Sequence, residues 1–359
     1  MFKNELDVTL HKAQTLKEKP DQDNLGFGQY FTDHMLTMKW DRQQGWHDAQ
    51  ICPYGDFHVD PAAMVFHYGQ AIFEGLKAYR AQDGSIVMFR PKDNLERLNR
   101  SAMRMCMPRI PVDKVLQAMK ALVYLDREWI PEREGAALYI RPTMVATEPA
   151  LGLRPSEEYL FFIIKSPVGA YYAEGFNPTK IYVEDTYVRA VPGGVGEAKT
   201  AGNYAASVKA LTEAQQKGYT QVLWLDALEH KYIEEVGTSN IFFVINDELI
   251  TPPLGGTILA GITRDSVLTL ASDWGIKTAE RRITIDEVVA AAEDGSLTEA
   301  FGAGTAAVIS PVGEFSYKGK SIIVNNGKTG ELSRRLFDGI QALQRGMLPD
   351  PHGWLVRVA

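Results

Sequence analysis

The sequence predicts a two-domain protein of the mixed α/β or α+β class. The chain has 359 residues, 45% of them hydrophobic, which is enough for two domains or one large one. Strand-like and helix-like segments are interspersed, and a segment punctuated by glycine and proline, AYYAEGFNPTK (170–180), separates two groups of them. We therefore expect one domain over residues 1–170, an interdomain loop over 171–182 and a second domain over 183–359.

The elements of the first domain follow from residue periodicity. Runs rich in β-branched and aromatic residues predict strands, and YLFFII (159–164), the most apolar of them, is far too short to span a membrane. Apolar residues at helical spacing predict the helices. The strands are expected at 35–40, 85–90, 136–147 and 159–169, and the helices at 92–107 and 112–130.

The second domain repeats this mixture. Two of its predicted helices end at a glycine, and the third begins with Thr284 followed three residues later by Glu287, the pattern of a capping box. The strands are expected at 180–190, 221–226 and 240–247, and the helices at 204–218, 261–275 and 284–295.

Composition excludes several classes of function. The net charge of −7, from 38 basic and 45 acidic residues, does not suit a dedicated nucleic-acid binder. The first 20 residues lack the apolar core of an export signal and the arginine-rich and serine-rich composition of a transit peptide. The two cysteines, Cys52 and Cys106, have no metal-binding spacing. We therefore expect a cytoplasmic protein that binds no metal, membrane or nucleic acid.

One segment stands out chemically, GGVGEAKTAGNYAAS (193–207). It matches the phosphate-binding loop G-x-x-x-x-G-K-[ST] at Gly193, Lys199 and Thr200, but Ala198 replaces the glycine whose backbone must wrap the phosphates. Pro192 also fits poorly as the end of a central strand. The alternative is that Lys199 is a nucleophile that forms a Schiff base with a carbonyl group.

Other ordered blocks favour the second interpretation. They include FEGLKAYR (73–80), LYIRPTMVATEPALG (138–152), EEVGTSNIFFV (234–244), TPPLGGTILAGITRDSVL (251–268) and FGAGTAAVISPV (301–312). Through these blocks the chain resembles, over nearly its whole length, the branched-chain amino-acid aminotransferases of the fold type IV class. The resemblance implies a smaller N-terminal α/β domain and a larger C-terminal mixed α/β barrel-like domain. It also implies pyridoxal 5'-phosphate as cofactor.

The resemblance implies a reaction and three central residues. The amino group of leucine, isoleucine or valine passes reversibly to 2-oxoglutarate. Lys199 would hold the cofactor covalently and move the substrate α-proton. Glu235 would face the pyridine nitrogen and keep it protonated, and Tyr204 would meet the ring phenolate oxygen.

The remaining cofactor residues are expected mainly around the phosphate. An arginine offers a charged fork to phosphate oxygens, and a helix N-terminus offers free amides and a favourable dipole. The implied set is Arg90, Thr238, Leu259, Gly261, Ile262, Thr263 and Thr305.

Aromatic residues are expected to form the wall of the substrate pocket, which suits aliphatic side chains. The implied wall is Phe27, Tyr68, Phe73, Tyr139, Tyr171 and Tyr172. The substrate carboxylate would meet Thr238, Ala306 and Ala307, and Arg141 is a candidate for the second carboxylate of glutamate. Leu151 and Leu153 match a loop that reaches the partner's pocket, which implies a homodimer.

Two alternatives remain open at this point. Another fold type IV enzyme, such as a D-amino-acid transaminase or an aminodeoxychorismate lyase, would keep Lys199 and Glu235 and change the pocket. A nucleotide-binding loop is the more distant alternative. The chain also departs from mammalian relatives, because Ala307 and Ser310 stand where those have a C-x-x-C pair, so thiol-based redox control is not expected.

Overall fold

The computed structural model describes residues 7–169 and 176–358. It contains two compact units. The first unit comprises the chain up to residue 171 together with segments 198–201 and 342–359, and the second comprises 172–197 and 202–341. The loop that carries Lys199 and the C-terminal segment therefore belong to the first unit.

The first unit is built on a nine-stranded sheet. Its strands are β1 Thr9–Leu10, β2 His34–Asp41, β3 Gly45–Pro53, β4 Ala71–Phe73, β5 Leu76–Arg80, β6 Ile86–Phe89, β7 Ala137–Ala146, β8 Glu158–Val168 and β18 Leu355–Arg357. Along the sheet the order is β1-β3-β2-β8-β7-β5-β6-β18, with β4 paired to β7. The four strands predicted in this domain are confirmed, whereas β1, β3, β4, β5 and β18 were missed.

Three helices and one 3₁₀ turn accompany this sheet. They are α1 Met64–Tyr68, α2 Pro91–Arg104, α3 Val112–Leu125 and the turn Arg127–Trp129. Helix α2 buries Leu95, Leu98 and Ala102 in the core of this unit, as its helical spacing requires. The predicted helix 112–130 is too long, because Asp126 turns towards His34 and Lys165 and accepts hydrogen bonds from both.

The second unit contains a closed barrel of six strands. The strands of this unit are β9 Thr179–Glu184, β10 Gln221–Leu225, β11 Ile233–Val236, β12 Ser239–Ile245, β13 Glu248–Thr251, β14 Thr278–Glu280, β15 Leu297–Gly304, β16 Val308–Tyr317 and β17 Lys320–Ile323. The ring runs β11-β10-β9-β16-β15-β12 and closes by pairing β12 with β11. The barrel-like architecture expected for this domain is confirmed.

Four helices belong mainly to this unit: α4 Ala201–Gln216, α5 Ile262–Asp273, α6 Ile285–Glu293 and α7 Glu331–Gln344. The predicted cap of α6 is present, since the Glu287 N–H donates to Thr284 Oγ1 at 3.0 Å. The predicted strand 180–190 is too long. It ends at Glu184 because that carboxylate accepts the N–H groups of Thr186 and Tyr187 and turns the chain.

Across the described parts of the chain, each helix is too short or too polar to cross a lipid bilayer.

Candidate active site

Lys199 is fastened to the first unit by its own backbone. Its N–H donates to Ser101 Oγ at 2.9 Å, and its carbonyl accepts the Phe73 N–H at 3.0 Å. The next residue, Thr200, donates its hydroxyl to the Ala71 carbonyl at 2.7 Å. The lysine loop is therefore paired with β4, and the Lys199 side chain starts from a fixed point.

Aromatic rings and a second cation lie beside this lysine. Lys199 Nζ lies 4.9 Å from the centroid of the Phe73 ring, and the Arg141 guanidinium lies 4.7 Å from the same ring. Arg141 also donates to the Tyr139 hydroxyl at 3.0 Å. Tyr139 in turn makes an edge contact with Phe27, with 5.0 Å between the ring centroids. The first unit thus brings together five of the predicted site residues.

Two neighbouring residues fix the aromatic wall. Gly75 leaves room for the Tyr139 phenol, since a Cβ there would lie 1.9 Å from the Tyr139 hydroxyl oxygen. Glu74, directly after Phe73, is fully buried and forms a two-pronged ion pair with Arg97 of α2, with distances of 2.7 and 2.8 Å. This pair ties the Phe73 segment to helix α2.

Arg90 occupies a strained position at the start of α2. Its φ of 50° lies in the left-handed region, which costs a non-glycine residue about 1–2 kcal/mol. The side chain pairs with Asp93 at 2.6 Å and lies over the Trp354 ring, and the Arg90 N–H donates to the Trp354 carbonyl at 2.7 Å. The C-terminal segment therefore helps to orient Arg90.

The other predicted pocket residues of this unit have different surroundings. Tyr68, at the end of α1, donates its hydroxyl to the Leu151 carbonyl. Leu151 and Leu153 are 67% and 80% exposed. Tyr171 and Tyr172 lie outside the described residues.

In the second unit, Glu235 is buried in β11 and held from three directions. Arg189 Nε lies 2.9 Å from Glu235 Oε2 in an ion pair. The Leu259 N–H donates to Oε1 at 2.9 Å, and the Asn240 amide donates to the same atom at 3.3 Å. Charged and amide donors together hold this carboxylate in one orientation.

Asn240 organises the surroundings of Glu235. It lies opposite Glu235 in the β11–β12 pairing, and its Nδ2 also donates to the Leu259 carbonyl at 3.0 Å. Its Oδ1 lies against Gly261, where an added Cβ would come within 1.9 Å of it. Gly261 caps α5, so Asn240 connects the barrel strand to the start of that helix.

The α5 N-terminus and two turns carry the remaining predicted phosphate and carboxylate residues of this unit. Ile262 and Thr263 are the first residues of α5, whose first N–H groups have no partner within the helix. Thr238 lies in the turn between β11 and β12, and residues 305–307 form the turn between β15 and β16. Because Asn240 pairs with Ala303, both turns lie at the same end of the barrel.

Tyr204 lies in the first turns of α4 and is half-buried. The preceding residue, Asn203, donates to the Val195 carbonyl at 2.9 Å and so ties the helix to the glycine-rich loop. The predicted residues are thus divided between the units: Tyr204, Glu235, Thr238, Leu259, Gly261–Thr263 and 305–307 belong to the second, and the other described ones to the first.

Comparisons with known proteins identify the family. A family model described as amino-transferase class IV matches residues 71–315. The chain belongs to the class IV aminotransferases. Among its relatives in this family, branched-chain-amino-acid aminotransferase 2 of Bacillus subtilis (strain 168) is 54% identical over 352 residues, which cover 98% of this chain and 97% of that protein. The family resemblance predicted from the sequence is confirmed.

Solved branched-chain amino acid aminotransferases share the fold. The branched-chain amino acid aminotransferase from Escherichia coli is 27% identical with a TM-score of 0.74, covering 91% of this chain and 99% of that one. The enzyme from Thermobaculum terrenum, solved in its PLP-form, is 25% identical with a TM-score of 0.74, covering 91% and 98%. Pyridoxal phosphate is therefore the cofactor of this class IV aminotransferase, as predicted.

The residues present in this class IV aminotransferase fit that cofactor. Lys199 supplies an amine, Arg90 a cation at a helix start, and Glu235 a buried carboxylate. Nearby, burial lowers the pKa of Lys77, which pairs with Tyr139 between β5 and β7, to about 8.

Sequence reasoning missed two residues of this arrangement, Arg189 and Asn240. Both side chains contact the Glu235 carboxylate and orient it. The signal for them in the sequence is weak, because Asn240 is a polar residue within a strand and Arg189 is a charged residue in the segment after one, and both are common in proteins.

Proposed function

We propose that this class IV aminotransferase is a branched-chain amino-acid aminotransferase that exchanges amino groups between leucine, isoleucine or valine and 2-oxoglutarate. The observation that carries the proposal is the environment of Lys199, whose amine lies over the Phe73 ring in a wall of aromatic side chains. Such a wall suits an aliphatic substrate side chain that offers no polar group. The names of the relatives and of the solved neighbours support the same substrates.

Bound pyridoxal phosphate supplies an electron sink for the carbanion that forms when the substrate loses its α-proton. Lys199 Nζ is the group that takes and returns this proton. Its backbone is hydrogen-bonded to Ser101 and Phe73, so the side chain moves while the backbone stays in place. Positioning of this kind makes proton transfer efficient.

Glu235 holds the proton on the pyridine nitrogen. Its carboxylate is buried, ion-paired with Arg189 and oriented by the Leu259 N–H. These donors fix the orientation of the carboxylate, and a carboxylate that faces the ring nitrogen favours its protonated form. We assign to the cofactor phosphate Arg90, Thr238, Thr305 and the start of α5 at Gly261–Thr263. We assign Tyr204 to the phenolate oxygen.

Arg141 binds the second carboxylate of glutamate and 2-oxoglutarate. It lies beside Phe73 and Tyr139, and its Nε has no hydrogen-bond partner among the described residues. A buried guanidinium donor without a partner favours an anionic ligand. An aliphatic substrate instead packs on the aromatic rings, so one pocket serves both substrates.

The test is the visible spectrum of the purified protein. We expect a cofactor band that L-leucine converts to that of the pyridoxamine form, and that D-alanine leaves unchanged. Lys199→Ala should abolish the conversion, whereas Lys209→Ala, an exposed lysine of α4, should keep it. Conversion by D-alanine and not by L-leucine would overturn the substrate assignment, and a colourless protein would overturn the role of Lys199.

We also propose a homodimer in the cytoplasm. The exposed Leu151 and Leu153 support a contact with a partner subunit, since large exposed apolar side chains on one loop are costly to leave in water. Both cysteines, Cys52 and Cys106, are unpaired, which suits a reducing compartment. Light scattering on a sizing column should give twice the chain mass, and Leu153→Glu should lower it.

A further inference from the structure

A cavity of about 190 Å³ opens in the second unit beside strand β11. This volume is well above what a single water molecule needs, and it leaves room for a molecule of amino-acid size. Much of its wall is apolar, formed by Pro192, Leu228, Tyr232, Pro252, Pro253 and Ile258. The cavity also contains charged groups of both signs.

The negative group is Glu234, the neighbour of Glu235 on β11. Successive residues of a strand point to opposite faces, so Glu234 lines the cavity while Glu235 contacts Asn240 and Leu259. Glu234 is only 7% exposed, and its Oε2 has no hydrogen-bond partner among the described residues. Burial raises the pKa of this carboxyl group. A buried oxygen left without a donor is unfavourable, and a ligand with a hydrogen-bond donor would satisfy it.

The positive group is Arg282. Its guanidinium lies 3.3 Å from the centroid of the Tyr232 ring, and the Glu229 carboxylate is 3.8 Å away. The backbone fixes this position, because the Ile233 N–H donates to the Ile283 carbonyl at 2.9 Å. Arg282 therefore has a set place on the wall and still keeps a side chain that is 55% exposed.

The other carboxylate of the cavity is already engaged. Asp226 accepts the backbone N–H groups of four residues, Leu228, Glu229, Lys231 and Tyr232, at 2.7–3.2 Å. Those bonds lower the pKa of Asp226, so it stays ionised. Glu234 Oε2 is thus a buried carboxylate oxygen of this cavity without a donor among the described residues, while Thr257 and the charges of Arg189 and Arg282 also act on the same carboxyl group.

We propose that this cavity is a binding site for a small zwitterionic amino acid with an apolar side chain. Its ammonium group donates to Glu234 Oε2, its carboxylate binds Arg282, and its side chain packs on the prolines and Ile258. A simple anion would lie beside two carboxyl groups, and a simple cation would face the guanidinium. A neutral apolar molecule would leave Glu234 Oε2 without a donor, so the zwitterion fits the charges best.

The cavity is connected to Glu235 through one short segment. Thr257 and Ile258 line the cavity, and the next residue, Leu259, donates its N–H to Glu235. A bound amino acid therefore contacts the segment that leads to Leu259, the residue that orients Glu235. Binding in the cavity would then affect the active site, so the cavity is an effector site. This consequence depends on the proposed function, whereas the binding itself does not.

The test is a calorimetric titration of the holoenzyme with L-proline. Proline is a zwitterion with an apolar ring, and as a secondary amine it is not a transamination substrate. We expect one saturable site per chain. Glu234→Gln and Arg282→Gln should each weaken binding about 10- to 100-fold, the range for a charge-assisted hydrogen bond. The control Glu293→Gln changes an exposed carboxylate of α6 and should bind within about twofold of the parent.

Several results would overturn the proposal. One is the lack of saturable binding by the parent enzyme. A second is undiminished binding by Arg282→Gln, a variant whose folding is not in question because the side chain is largely exposed. A third is displacement of proline by 4-methylpentanoate, a leucine analogue without the amino group, because proline would then occupy the substrate site. If proline binds and the L-leucine spectrum fails to change, the cavity site stands and the proposed function falls.

Discussion

Removing Arg97 should destabilise the first unit severely. Arg97→Met keeps most of the side-chain volume but leaves the Glu74 carboxylate, which is fully buried, without its ion-pair partner. Breaking a buried pair by removing one partner costs about 3–5 kcal/mol, because the remaining charge is uncompensated. At about 2–4 °C per kcal/mol, the melting temperature should fall by roughly 6–20 °C.

A double variant separates charge from packing. Glu74→Leu combined with Arg97→Met removes both charges, and apolar replacements of a buried pair are often neutral or stabilising. Most of the lost stability should therefore return. The control is Arg42→Met, which breaks an exposed pair with Glu157 at 2.7 Å and should cost less than about 1 kcal/mol.

The assay is thermal unfolding of each holoenzyme at fixed cofactor and protein concentration, followed by tryptophan fluorescence. An Arg97→Met protein that melts as Arg42→Met does would contradict a large cost of the unpaired Glu74 charge. A double variant that melts no higher than Arg97→Met would also contradict it, because the loss would then come from packing.

Three further predictions concern the site and its surroundings. Gly261→Ala should weaken pyridoxal phosphate binding at least tenfold in an absorbance titration, because the new Cβ would displace Asn240. The control Gly255→Ala, which has open space around the new methyl group, should bind the cofactor normally. Equal affinities of the two variants would contradict the role of Gly261. Lys77→Met should stabilise the protein by about 3 kcal/mol below pH 8, since burial lowers the pKa of this lysine from 10.5 to about 8. The folded parent resists protonation at Lys77, so the free energy of unfolding of the parent rises between pH 8 and 10.5. Over the same pH range the stability advantage of the variant, measured by urea unfolding, should vanish. An advantage independent of pH would count against burial as the cause. Arg141→Gln should raise the KM for 2-oxoglutarate about 10- to 100-fold and that for leucine much less, and equal effects in steady-state kinetics would remove the assignment of the second carboxylate.

The sequence predicted the fold well where periodicity is strong. Strands 136–147 and 159–169 were located within a residue or two because long apolar runs leave little choice. Errors occurred where a side chain overrides the local pattern. Glu184 ends its strand by accepting nearby N–H groups, and Asp126 ends α3 because it is drawn to Lys165, far away in the sequence.

The candidate site shows the same division. Lys199 and Glu235 were found because blocks of residues around them resemble a known family. Asn240 and Arg189 were not found, because their importance comes from side-chain contacts with Glu235 that no local pattern encodes. Closure of the ring was implied by the resemblance alone, since the pairing of β11 with β12 depends on register.

Ring closure also bears on solubility. A strand with an unpaired edge can recruit another chain and start aggregation, and a closed ring removes such edges. Within residues 176–358, the strands at the margins of this sheet are the short β14 and β17, the latter beginning at exposed Lys320. The β11–β12 closure rests on two residue pairs, one of them Glu235 with Asn240. A substitution of Glu235 that breaks this pairing would therefore expose sheet edges, and its first observable effect would be aggregation of the protein.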